Sequence, residues 1–344
     1  MKRTNSSDIA RMAGVSRSTV SRVINNYSNV PENTRRKVMQ VIKENNYYPQ
    51  LSGQILAGMK QKTIGIFWAG SNSLASDSLS SSYFMHMLDA AKDRGYLVLA
   101  CILEDLSKKE NYNFVRKTYA EGRIDAGVFV GASYSDPLMA ELIEGGEIVG
   151  VFDSRHKEQE KYKCVTVNYE TDSGDKAIDY LYQLGHRDIA IIDGNMTRLS
   201  SITRHEGHMR SMQAHGLPIR NEWLTYGGIT IDSGYQAARH MLENTLDHLP
   251  TAICANNDAV AFGVYRACAE LGISIPGDIS VIGVDGHADG THSQPPLTTI
   301  AFDAKGMFSS LVDRTIRKIQ QEDDVVADEV FRGTLIERAS CRKI

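Results

Sequence analysis

The sequence predicts an α+β multidomain chain: a three-helix helix-turn-helix head, a short linking segment, and a two-lobed α/β core built on parallel sheets. Three observations carry this reading. Ser6 to Asn25 holds two short helical patterns that meet at a glycine. From Thr63 onward, apolar runs alternate with amphipathic helical stretches, as parallel strands wrapped by helices require. The charge is also divided. Residues 1–60 hold ten Lys/Arg against three Asp/Glu, so this part carries +7 within a chain of net −4, and the remainder carries −11. A basic head on an acidic body suits a head that meets phosphates and a body that the duplex repels. At 344 residues the chain exceeds one small core and suits two or three domains.

In the head, Ile9, Ala10 and Ala13 share one helical face, and Val15, Val20, Val23 and Ile24 supply the face of the next helix. Gly14 takes the turn dihedrals that a larger side chain resists, and Ser16 caps a helix starting at Arg17. Arg17, Ser18, Ser21 and Arg22 then point outward from a helix whose width fits the major groove. An ordinary αα-hairpin would share this pattern. A third helix, opened by Pro31 and continued from Thr34 to Asn45 with Val38, Val41 and Ile42 inward, completes a minimal domain.

The segments DIARMAGVSRSTVSRVINN and PENTRRKVMQVIKENNYYPQ resemble the head of the LacI/GalR family of bacterial transcription regulators, and the resemblance runs over nearly the whole chain. With helix geometry, it implies that Arg17, Ser18 and Arg22 face bases, while Ser16, Ser21, Asn25 and Thr34 meet phosphates. After Pro49, the stripe Leu51, Ile55, Leu56 is too short to hold a helix alone. The resemblance makes it a hinge helix that folds when two copies pair over the minor groove, with Leu56 wedged between base pairs. Gly53, a weak helix former, departs from the alanine common there.

In the core the apolar runs are Ile64–Phe67, Tyr96–Leu103, Gly127–Val130, Ile148–Phe152, Cys164–Val167, Ile189–Ile192, Ala252–Cys254 and Ser280–Val284. Helical stretches between them include Phe84–Arg94, Asp172–Leu184, Ser233–Glu243 and Asp258–Leu271, and Gly95, Gly185 and Gly272 stand where left-handed helix ends belong. The expected domains are 1–46 (head), 47–61 (hinge), 62–165 plus 297–325 (first lobe) and 166–296 plus 326–344 (second lobe). Pro295 to Ile300 reads as a strand crossing back to the first lobe, and Phe331 to Ile336 as one last strand. The family's core is of this two-lobed kind, similar to periplasmic sugar-binding proteins, with the effector between the lobes.

Ligands of open α/β sheets collect at the carboxyl ends of strands. The residues there are Trp68, Asp153, Asn257 and Asp285, and the resemblance adds Arg204, three residues before Gly207. A guanidinium fork suits vicinal oxygens, a carboxylate suits hydroxyl donors, and an aromatic face suits the apolar face of a sugar. Asp258 reads as a cap of the helix it opens. The serine-rich segment from Ser71 to Ser82 is read as a surface loop, and no ligand role is assigned within it.

No nucleophile elbow, HExxH or P-loop occurs, so no enzyme activity and no cofactor or metal is expected. The five cysteines lack metal spacing and read as free thiols of a reducing compartment. The N-terminus reads as no signal peptide and no run reaches the ~20 apolar residues of a membrane span, so a cytoplasmic protein is expected, without membrane contact. A periplasmic solute-binding protein would share the core but not the basic head. A homodimer on a pseudo-palindromic DNA operator is implied, with no leucine heptad at the C-terminus to build tetramers. The expected function is an effector-responsive repressor of a carbohydrate-utilisation operon, released by a sugar. The alternatives are a corepressor system using a purine or a phosphorylated protein partner, and an activator.

Overall fold

A computed structural model describes residues 4–47, 60–70, 78–133, 135–155, 163–226 and 228–344. The chain separates into two compact units, Met1–Lys62 and Thr63–Ile344. The hinge segment with Leu51, Gly53, Ile55 and Leu56 lies outside the described residues.

The first unit contains α1 (Ser6–Ala13), α2 (Arg17–Ile24) and α3 (Glu32–Glu44). Asn5 and Asp8 form a reciprocal capping box at the start of α1, which ends on Gly14 with φ 65°. The Ser16 hydroxyl accepts from Thr19 N at 3.1 Å and so caps α2. Ile9, Ala10, Ala13, Val20, Val23, Val30 and Val38 close the core of this unit, with Val15, Ile24, Val41 and Ile42 at its edge. Arg35 of α3 donates to Asn26 Oδ1 at 2.8 Å and Tyr27 O at 2.6 Å, fastening the α2–α3 loop where Asn26 turns with φ 55°.

The second unit opens with β1 (Thr63–Ala69), α4 (Ser78–Asp93), β2 (Leu97–Leu103), α5 (Lys109–Ala120), β3 (Ala126–Val130), α6 (Pro137–Glu144), β4 (Val149–Phe152) and β5 (Cys164–Tyr169). It continues through α7 (Ser173–Gln183), β6 (Ile189–Ile192), α8 (Leu199–Ala214), β7 (Leu224–Thr225), α9 (Ile231–Glu243), β8 (Ala252–Ala255), α10 (Asp258–Leu271) and β9 (Ser280–Asp285). The last elements are β10 (Thr298–Ala301), α11 (Ala304–Ile319), β11 (Asp328–Phe331) and β12 (Thr334–Ile336). Gly95, Gly185 and Gly272 all take positive φ at the ends of helical segments.

Two six-stranded sheets result, in the orders β11-β5-β4-β3-β1-β2 and β12-β10-β9-β8-β6-β7. Among the described residues every pairing is parallel except that of β10 with β12. Central strands such as β3, β8 and β9 are buried along their length, which is why they read as continuous apolar runs.

The lobe boundaries differ from the sequence reading in four places, the first being the end of the first lobe, where β5 carries the first sheet on to Tyr169 rather than stopping at 165. Strand β10 does not return to the first lobe; it pairs with β9 in the second sheet. Residues 328–331, which the sequence reading assigns to the second lobe, pair instead with β5 of the first, where Asp328 accepts from Thr166 Oγ1 and Asn168 Nδ2 at 2.7 Å each. The expected single last strand is two strands in different sheets, divided at Gly333. The chain thus passes between lobes after β5, after β10 and after β11. The three connections touch: Gly333 N donates to Glu170 at 2.5 Å, and Tyr169 meets Phe302 edge-on at 4.7 Å. Alternation along a sequence marks strands, but only pairing between distant segments decides which sheet takes each one.

Candidate functional site

In the head, Val20 and Val23 of α2 are buried, and the intervening turns leave Ser16, Arg17, Ser18, Ser21 and Arg22 exposed on the opposite side. The helix holds no acidic residue in its first turn. Asn25 Nδ2 reaches Ser21 Oγ at 3.4 Å, and Thr34 is half-buried on α3. The Ser18 hydroxyl lies 2.7 Å from that of Ser16, so it is tied to the helix cap.

In the second unit, a cavity of about 1020 Å³ lies between the lobes at the carboxyl ends of both sheets. Trp68, Asp153, Arg204, Asn257 and Asp285 all line it. The strand order of each sheet reverses there, between β1 and β3 in one and β6 and β8 in the other. Open α/β sheets place ligand clefts at such points.

Arg204 and Asp285 form the floor. They are 3% and 7% exposed, and the guanidinium donates to Asp285 Oδ1 at 2.9 Å and to Asn256 O at 2.7 Å. It also lies over the Tyr169 ring, 4.8 Å from the centroid. Burial opposes the charge, but the Asp285 carboxylate beside it keeps Arg204 protonated. Burial raises the Asp285 carboxyl, and Arg204 pulls it back toward ionisation. Arg204 Nε and Asn256 Oδ1 are buried with no hydrogen-bond partner among the described residues.

Asp153 reaches across the cleft. Its carboxylate accepts from Ser200 N at 2.8 Å and Ser200 Oγ at 2.7 Å in the first turn of α8, a helix whose N-cap, Arg198, offers no side-chain cap. The link joins the end of β4 in one lobe to the start of a helix in the other. Burial raises the Asp153 carboxyl, while Ser200 and Arg204 lower it. Asp153 and Asp285 both hold positive φ, 60° and 119°. Non-glycine residues in such regions store strain and cluster at ligand sites.

Asn257 proves to be the cap of α10: Oδ1 accepts from Val260 N at 2.8 Å and Nδ2 donates to Ile229 O at 3.0 Å. Both ends of its amide are therefore committed. Asp258, expected as a cap, has another task. Its carboxylate accepts from His287 N at 2.6 Å and Thr299 Oγ1 at 2.7 Å, holding the loop that follows Asp285. Burial, then the charge of Asp285, pushes Asp258 up to about 7.

Trp68 is buried and belongs to the core of the first lobe while presenting one side to the cavity. Sequence reasoning missed Tyr83, Tyr169, Arg198, Ser200, Asn256 and Phe262 on the walls. The strand-end rule could have found Tyr169 and Asn256. Tyr83 sits inside α4 beside Phe308, ring centroids 4.3 Å apart, and only tertiary packing brings it to the cleft. Leu79, Ser80 and Ser81, in the segment read as a loop, are helical and line the wall.

An exposed recognition helix on a basic three-helix head, joined to a two-lobed binding core, defines an effector-responsive DNA-binding regulator. Residues 7–50 match the family model of bacterial regulatory proteins, lacI family, and residues 178–341 match that of a periplasmic binding protein-like domain. The HTH-type transcriptional repressor PurR of Yersinia pestis is 32% identical over 342 residues, covering 97% of this chain and 95% of that one. The same figures hold for PurR of Yersinia pseudotuberculosis. The Lac repressor dimer bound to operator and the anti-inducer ONPF superposes with a TM-score of 0.81 at 26% identity, covering 99% of this chain and all of that one. A CelR–cellobiose complex superposes with a TM-score of 0.73 at 24% identity, covering 98% and 100%. The chain belongs to the LacI family of bacterial transcription regulators, and its work is regulation by DNA binding, not catalysis. Among the described residues no helix is long and apolar enough to cross a membrane.

Proposed function

We propose that this chain is a cytoplasmic, dimeric repressor of a carbohydrate-utilisation operon that a neutral sugar releases from its operator. The observation that carries the sugar is the Arg204–Asp285 pair, buried and mutually neutralised on the cleft floor. An anion gains little from a cation already paired, whereas a hydroxyl both donates and accepts. The unsatisfied Arg204 Nε and Asn256 Oδ1 supply one donor and one acceptor for such a group. Trp68, Tyr83, Phe152, Tyr169 and Phe262 offer the apolar walls on which a pyranose face packs.

One observation favours the corepressor reading. Arg198 is a second guanidinium on the cleft wall, drawn toward Asp153 by charge yet lowered in basicity by burial. A carbonyl of a purine would suit it. Thermal unfolding against neutral sugars, sugar phosphates and purines separates the readings, since a ligand at a hundred times its Kd stabilises by ~2.7 kcal/mol. A shift from sugars supports induction by lobe closure; a purine response with silent sugars replaces it by corepression.

The dimer is supported by β2, an edge strand of sequence LVLACIL with no charged residue. Leu97 is 68% exposed and Ile102 46%. An unprotected apolar edge invites pairing, and a second copy of the chain would cover it. In the head, Arg17, Ser18 and Arg22 would read bases, and Ser16, Ser21, Asn25 and Thr34 would meet phosphates. The effector then acts by shifting the lobe angle and the hinge helices, which requires differential affinity for the two states. Leu56 would insert in the minor groove.

A further inference from the structure

The first turn of α2 is an unfavourable place for a cation. Helix N-termini carry partial positive charge, and Arg17 stands at the first helical position with no acidic residue in that turn. The side chain is held instead by another helix: Nε donates to Ser6 Oγ, the first residue of α1, at 3.0 Å. Ser6 is half-buried, Arg17 is exposed, and eleven residues separate them. The contact is therefore made by the packing of α1 on α2, and the core beneath it fixes the distance between the two helix starts.

The chemistry of the guanidinium gives this contact a consequence. An arginine has two edges with which to pair a base, one that includes Nε and one formed by Nη1 and Nη2. With Nε engaged by Ser6, the free fork is the Nη1/Nη2 edge, which makes no hydrogen bond to any described residue. That edge matches the O6 and N7 acceptors of guanine. The neighbouring Ser18 hydroxyl lies 2.7 Å from Ser16 Oγ and makes no contact with this fork.

We propose that Ser6 is a specificity-determining residue of this regulator, acting through Arg17: its hydroxyl aims the guanidinium so that one fork is presented to guanine. The inference rests on the reading of Arg17 as a base contact. Ser6 is a positioning residue in this scheme and need not touch DNA. Holding a long side chain in its bound rotamer before association removes an ordering cost, and this adds to the affinity for the one base that the aimed fork fits.

The test uses the full-length protein and a pool of duplexes with randomised pseudo-palindromic half-sites, followed by affinities for the selected duplex and its single-base variants. R17A should erase the preference for guanine at one position of each half-site, by ~10-fold or more. S6A should weaken the same preference at the same position by roughly 2- to 10-fold. The double variant S6A/R17A should behave as R17A alone, and S6T, which keeps the hydroxyl, should restore discrimination. A full additional loss in the double variant, or an S6A effect at another base pair, would mean that Ser6 contacts DNA itself and would overturn the proposal. An S6A profile identical to the starting protein would overturn it as well. If R17A lowers affinity equally for every duplex, the base-contact reading fails first, and the positioning role falls with it. Because Ser6 is half-buried and Arg17 exposed, both outside the apolar core of the head, thermal midpoints of S6A and R17A should lie close to the parent; a lowered midpoint with uniformly weaker binding would assign Ser6 a structural role and reject the proposal.

Discussion

Replacing Asp258 by asparagine should change how the stability of the core depends on pH. The carboxyl is buried, is held by His287 N and Thr299 Oγ1, faces the Asp285 charge, and is pushed up to about 7 from a reference of 3.8. A carboxyl raised in the folded state keeps a proton that the unfolded chain releases. Stability from this group is therefore undiminished below the unfolded value, falls as pH rises from 3.8 toward 7, and levels above it. Between pH 5 and pH 8 the loss is on the order of 2–3 kcal/mol, from linkage at about 1.4 kcal/mol per unit. An asparagine at this position would have no proton to lose, yet its amide can accept from His287 N and donate to the Thr299 hydroxyl. Thermal midpoints of the full chain and of D258N, measured across that range, should converge or cross, the wild type losing about 5–10 °C relative to the variant. Parallel curves would refute the reasoning, since they would mean that the two hydrogen bonds keep Asp258 ionised throughout.

Other outcomes follow from the same geometry. Either R204A or D285A should abolish the effector response with DNA binding kept, and each should cost about 3–5 kcal/mol by stranding the partner charge in the cleft floor; a retained response in both would place the effector elsewhere. L56A should remove most specific operator affinity and leave ligand-induced thermal shifts intact, and unchanged affinity would reject the wedge. L97E on the β2 edge should shift sedimentation toward the monomer, whereas an unaltered dimer would move the interface to another face. R35A frees Asn26 and Tyr27 of the α2–α3 loop and should weaken all duplexes alike, as measured by affinity across matched and mismatched sites, if Asn25 and Thr34 meet phosphates as proposed, because it then disturbs those contacts rather than a base.

What the sequence alone determined is whatever depends on neighbours along the chain. Gly14 with Ser16 sets the turn and cap of the head, and the spacing of Val20 and Val23 decides which face of α2 is left exposed. The strands of the core were legible because buried parallel strands need unbroken apolar runs, and Trp68, Asp153 and Asp285 were legible as cleft residues because they stand at the carboxyl ends of those strands. Tertiary structure decided whatever joins distant segments. It put β10 in the second sheet and β11 in the first, through pairings with β9 and β5 that no local pattern encodes. It made Asn257 the cap and freed Asp258 to hold the loop after Asp285, a choice between adjacent residues that depends on Ile229 and Thr299 lying close. It brought Tyr83, Ser200 and Asn256 to the cleft and Ser6 to Arg17. Period and propensity fix what each segment becomes, while hydrogen-bond partners and burial across long separations fix what each side chain does.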